Sequence, residues 1–269
     1  MLAAHNLHII AIDEPGCGLS SHKPPGSDYN RWAHLREIKR ILDQLNWKEG
    51  VTLMGHSLGA IYSLLFASIY PNLIKRVISI DIVKPPTSFA DGWASRLPKL
   101  IDKHIEYDKL FMNDPTMESS APVYTREKAL QKMMEGHGNS LSQESAELLM
   151  KRGAKPFKDG FAFTRDIRQK LPPLDPSPTE ETMIKFISRI KSDLLIVRAK
   201  QGVYQTPDSV RQQYYAIYER NCRLFRDVLT DGTHHLHMNN PQTVGTIIND
   251  FLSDSLHLST ELKSPKSTL

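Results

Sequence analysis

At 269 residues, with 40% hydrophobic and 24% charged residues, the chain is long enough to bury a sizeable core and suits one large α/β domain carrying an insertion. Its net charge of +4 comes from scattered Lys and Arg, with no dense basic stripe interleaved with aromatics, which argues against a nucleic-acid partner. The two cysteines, Cys17 and Cys222, suggest neither a disulfide framework nor a Cys-based zinc site and fit a reducing compartment. No apolar run approaches the roughly 18 residues needed to span a bilayer, and the first ten residues lack the basic start and cleavage site of a signal peptide.

In chain order, Leu7 to Ile12 reads as a buried parallel strand ending in Asp13. Pro15, Gly16, Gly18 and Ser20 then force a loop. Trp32, Leu35, Ile38, Ile41, Leu42 and Leu45 recur at helical spacing between about Tyr29 and Trp47. Val51 to Met54 reads as a second strand, Ala60 to Tyr70 as a helix stopped by Pro71, and Val77 to Ile80 as a third strand ending in Asp81. This alternation predicts a mostly parallel sheet covered by helices.

The rhythm breaks between about Lys84 and Ser188, where Pro and charge increase. Helices are expected from Arg126 to Met134 and from about Leu141 to Lys151, the second with a Ser140/Gln143 capping box and Gly153 at its end. Pro172, Pro173, Pro176 and Pro178 precede a helix to about Ile190. The α/β pattern then resumes with strands at Leu194 to Arg198 and Leu224 to Leu229, a helix opened by Thr206-Pro207 with Thr206 as its cap, and a last helix from Pro241 to Leu252. The expected organisation is an α/β core over 1–83 and 189–255, a helical lid insertion over 84–188 and a flexible tail over 256–269.

The sequence Gly55-His56-Ser57-Leu58-Gly59 sits where a strand meets a helix. A Gly-x-Ser-x-Gly pentapeptide occurs by chance in about one chain in ten of this length. The strand-to-helix context is what points to a nucleophile elbow with Ser57 as nucleophile. A serine in strained backbone needs neighbours without bulk, which Gly55 and Gly59 supply, and the Leu58 N–H is placed to donate to an oxyanion. The alternative is a tight turn with a helix-capping serine. A serine hydroxyl also needs a base. His234 is the candidate, in Asp231-Gly232-Thr233-His234-His235-Leu236-His237-Met238 after the last strand, with His235 and His237 as runners-up. The spacing is too cramped, and the surroundings too poor in Cys and carboxylate, to favour zinc. Asp81 is the candidate acid, giving the order serine, acid, histidine. The loop after the Leu194 strand offers no carboxylate before Asp208.

These segments resemble the serine hydrolase-like protein family, kraken-related members of the α/β-hydrolase superfamily. The likeness runs through Asp13-Glu14-Pro15-Gly16-Cys17-Gly18-Leu19-Ser20, Met54 to Gly59, Leu141 to Ser145, Phe163 to Arg168 and Gly232 to Met238. It implies an α/β-hydrolase fold with a helical lid, Ser57 as nucleophile, His234 as base, and a cytoplasmic, perinuclear or peroxisomal setting. Gln205 falls where a family carboxylate would align, which leaves the acid's role to Asp81. Cys17 replaces a bulkier residue in the Pro-Gly-x-Gly loop. The resemblance also implies three strands ahead of Leu7, and a loop supplying a second oxyanion donor. Their absence after Met1 leads to the expectation of an N-terminally truncated hydrolase with weak or no activity. The resulting expectation is a serine hydrolase acting on ester or related acyl bonds of a small molecule, needing no cofactor or metal. The alternative is a non-catalytic hydrolase-like protein or fragment.

Overall fold

The computed structural model describes residues 7–87, 92–114, 121–203 and 205–261. From the N-terminal side, α1 (Arg31–Gln44) leads to β1 (Val51–His56), α2 (Leu58–Ile69) and β2 (Ile74–Ile80). Next come α3 (Trp93–Asn113), α4 (Arg126–Gly136) and α5 (Gln143–Gly153), then a hairpin of β3 (Ala154–Phe157) and β4 (Gly160–Phe163). The chain continues through α6 (Glu180–Ile187), β5 (Asp193–Gln201), α7 (Asp208–Asn221), β6 (Phe225–Thr233), α8 (Leu236–Asn239) and α9 (Pro241–Glu261). It forms two compact units. One comprises residues 1–10, 42–86 and 181–269, the other 11–41 and 87–180, so α1 crosses from one to the other.

The first unit holds a parallel four-stranded sheet in the order β1-β2-β5-β6. Parallel neighbours need a crossover, and helices supply it, so the central strands β2 and β5 are buried on both faces and read as largely apolar runs, whereas the outer strands β1 and β6 are mostly half-buried. In β2 every residue but Lys75 is buried, and Leu194 to Val197 of β5 are wholly so. Leu64, Leu65, Phe66 and Ala67 of α2 are also fully buried, against β1 and β2. Ile78, Ile80, Leu195 and Val197 form one cluster with Val244, Ile248, Phe251 and Leu252 of α9.

In the second unit, helices α4 and α5 open on side-chain caps. Thr125 accepts from the Lys128 N–H at 3.3 Å and Ser142 from the Ser145 N–H at 3.1 Å. Each satisfies one of the first-turn donors that a helix leaves open. The β3–β4 hairpin packs on α4 and α5. Asp166 is its polar centre. Its buried carboxylate accepts from the Tyr29 hydroxyl at 2.7 Å and from the Arg168 backbone and guanidinium.

Several expectations change. Leu7 to Ile12 is not a strand, and Leu7, Ile9, Ile10 and Ile12 are 37–54% exposed. An apolar run becomes a strand only when its backbone groups find a ladder. Among the described residues β1 pairs with β2 alone, so that run has none. Residues 11–41, assigned to the core, group instead with the insertion. Their polar side chains explain it: Arg152 pairs with Asp13, the His22 ring meets the Thr164 carbonyl at 2.9 Å, and the Cys17 thiol donates to Gln169 at 3.1 Å. Helix α3 and the β3–β4 hairpin were not anticipated. The cap of α5 is Ser142 in place of Ser140, and Pro207 in place of Thr206 holds the cap position of α7. Helix α9 runs past the expected boundary at Ser255, and 262–269 lie outside the described residues. No helix among the described residues is long and apolar enough to cross a membrane.

Candidate active site

Because strands β1, β2, β5 and β6 are parallel, the loops at their carboxyl ends gather along one edge of the sheet. Ser57 follows β1, Asp81 follows β2 and His234 follows β6. Ser57 has φ 53° and ψ −115°, a conformation that L-residues avoid. It stands directly before α2, yet its hydroxyl makes no capping bond to that helix, which removes the capping-serine alternative. The Ser57 N–H donates instead to the Ile80 carbonyl at 3.1 Å, tying the turn to the end of β2. Leu58 is the first residue of α2, so its N–H is one of the donors left without an intrahelical acceptor.

Of the two flanking glycines, Gly55 alone is sterically required. A Cβ there would lie 2.5 Å from the Ala60 nitrogen, whereas one at Gly59 would meet nothing within 4 Å. The expectation that both must lack bulk holds for one side of the turn.

Asp81 is 5% exposed and also has positive φ, 58°. Its N–H donates to Val197 at 2.7 Å, and its Oδ1 accepts from the Ala199 N–H at 2.8 Å. The Ser79 hydroxyl closes the turn with a 2.6 Å bond to the Ile82 carbonyl. The second carboxylate oxygen, Oδ2, lies 2.7 Å from His234 Nδ1. Room for this carboxylate comes from Gly202, where a Cβ would fall 2.6 Å from Oδ2. Gln205, Gly202 and Asp81 line a common cavity of about 190 Å³.

His234 is 7% exposed, and its carbonyl lies 2.7 Å from His56 Nε2. His235 holds the cap position of α8, its carbonyl accepting from Met238 at 2.9 Å and Asn239 at 3.0 Å. Burial lowers the pKa of His237 to about 4 and that of His56 to about 2, with neighbouring histidines adding to both shifts. Among the described residues no group of three His, Cys, Asp or Glu is arranged to hold a metal ion. The sequence singled out Ser57, Asp81 and His234. It missed His56, which stood as a filler position of the pentapeptide, and Gly202, whose only signal was a glycine in a loop.

Residues 2–158 match the model of the alpha/beta hydrolase fold family. The chain belongs to the α/β-hydrolase family. This hydrolase is 31% identical to a serine hydrolase-like protein of Danio rerio over 99% of its own length and 80% of the relative's. It is 33% identical to a probable serine hydrolase of Drosophila melanogaster over 92% of its own length and 73% of the relative's. Among solved structures, a hypothetical protein of Pseudomonas aeruginosa PAO1 superposes with a TM-score of 0.74 at 30% identity, covering 90% of this chain and 80% of that one. The hydrolase also shares its fold with a thioesterase domain from the curacin biosynthetic pathway, TM-score 0.65 at 21% identity, covering 88% and 78%.

Proposed function

We propose that this hydrolase cleaves ester or related acyl bonds of small molecules through Ser57, His234 and Asp81. The observation that carries the reading is the 2.7 Å contact between His234 Nδ1 and Asp81 Oδ2, at the sheet edge where Ser57 sits in strained backbone with its hydroxyl uncommitted to the helix. Asp81 accepts a hydrogen bond from Nδ1–H, which keeps the proton on Nδ1 and leaves Nε2 unprotonated to act as the base. His234 Nε2 takes the proton as Ser57 Oγ attacks the acyl carbon, and the Leu58 N–H donates to the oxygen on which negative charge develops. The proton then passes to the leaving group. A water, deprotonated by the same nitrogen, releases the acyl group from Ser57 and restores the hydroxyl.

The reading is tested by treating the purified chain with a fluorophosphonate and locating the adduct by mass spectrometry. The expected result is an adduct on Ser57 that is lost in Ser57→Ala and on heat denaturation, and strongly slowed in His234→Ala. Asp81→Asn is expected to lower the rate by up to about 10⁴-fold, because the amide favours the wrong tautomer. A folded sample that takes no label at Ser57 would overturn the reading in favour of a non-catalytic role.

A further inference from the structure

Four histidine rings meet beside the nucleophile turn. The His56 ring centroid lies 4.2 Å from that of His237, 4.4 Å from that of His234 and 4.9 Å from that of His235. His56 is the hub of the group and immediately precedes Ser57. The contact with a fixed chemical meaning is the one from its Nε2 to the His234 carbonyl oxygen, at 2.7 Å. A carbonyl oxygen only accepts, so Nε2 carries the proton and Nδ1 is bare. Burial and three neighbouring rings oppose a second proton, so His56 stays neutral with its pKa near 2.

This bond joins residues 178 positions apart in the chain. Asp81 holds the His234 ring at Nδ1 but does not fix the peptide from which the ring hangs. On its other side the loop is tied into the sheet, where Thr233 pairs with Gln201 of β5, and within it Asn239 Nδ2 donates to Thr233 Oγ1 at 3.1 Å and the turns of α8 close on His235. The geometry points to His56 as a positioning residue, whose Nε2–H bond to the His234 carbonyl holds the base's backbone against the end of the strand that carries the nucleophile. The inference rests on the reading of Ser57 and His234 as nucleophile and base. Without this bond the His234 peptide keeps its link to β5 through Thr233, and its ring keeps Asp81, but it loses its tie to β1 and can shift relative to Ser57. A misplacement on the order of 1 Å costs about 100-fold in rate.

The test compares the second-order rate of fluorophosphonate labelling at Ser57 in the wild-type chain and in His56→Ala, His56→Gln and His56→Asn. Gln carries an N–H at the reach of Nε2, and Asn carries one that falls short. His56→Ala and His56→Asn are expected to slow by about 10- to 100-fold, with His56→Gln within a few-fold of wild type. Equal rates in the Gln and Asn variants, or a wild-type rate in His56→Ala, would overturn the assignment. Should His56→Ala fail to fold, the Gln and Asn pair decides alone. Nitrogen-15 spectra of the histidine-labelled chain give an independent readout, expected to show a neutral Nε2–H tautomer for His56 from pH 5 to 8. An Nδ1–H tautomer would overturn the tie. If wild type takes no label while the tautomer is as expected, the hydrolase reading fails and the tie stands as a structural contact.

Discussion

Around Ser57 the contributions of single residues depend on direction more than on type. Gly55 and Gly59 stand at equal distances in sequence from the nucleophile, yet a methyl group at the first would collide with the backbone of α2 and at the second would point into open space. Gly55→Ala is therefore expected to destabilise by about 1–3 kcal/mol or more through overpacking, and to slow labelling of Ser57. Gly59→Ala should keep the label and gain up to about 1 kcal/mol from helix propensity. Urea unfolding together with labelling separates the two. The buried histidines give a pH dependence of definite sign. His56 and His237 titrate near 2 and near 4 in the folded chain, against about 6.5 unfolded. As pH falls below about 6.5 the unfolded state takes up protons that the folded state refuses, so the stability present above that pH is progressively lost. His237→Gln should flatten the decline in melting temperature between pH 7 and 5. A decline as steep as in wild type would count against His237 as its source.

For whole elements, legibility followed periodicity and capping. The four strands of the sheet and helices α1, α2, α4, α5, α7 and α9 were all anticipated near their observed places, because apolar runs and turn residues mark them locally. Helix α3 was missed. Pro98 sits inside it, and a proline removes an intrahelical bond and argues against a helix. Its apolar stripe is also poorly buried, with Ile101, Ile105 and Leu110 at 40–49% exposure. The Leu7 to Ile12 run failed in the opposite way, since its composition suits a strand but pairing depends on a neighbour that composition does not reveal. Two predictions belong here. Ser142→Ala should cost about 1 kcal/mol by uncapping α5, read as a shift in the denaturation midpoint. Asp166→Ala should cost about 1–3 kcal/mol, because it removes the buried acceptor of the Tyr29 hydroxyl and leaves Arg168 with Asp108 and the Lys23 and Pro24 carbonyls alone among its named partners, and circular dichroism in urea would register it.

Across the whole molecule, stability rests on the central strands β2 and β5, which are buried along most of their length. Phe251 of α9, fully buried against Ile78, Ile80, Leu195 and Val197, tests that dependence, and Phe251→Ala should cost about 3–5 kcal/mol in calorimetry. The division of the chain also emerges only at this scale. Residues 11–41 look like the start of the core in sequence, but their polar contacts run to Arg152, Thr164, Asp166 and Gln169. The sequence by itself determined the α/β class and picked out Ser57, Asp81 and His234, because strand periodicity, a glycine-flanked serine and loops after strands are local signals. Only the tertiary structure decided that Asp81 meets His234, that Gly202 makes room for the carboxylate and that His56 reaches the His234 carbonyl. Each of these joins residues more than a hundred positions apart, whose meeting is set by strand order and register, and no local pattern encodes it.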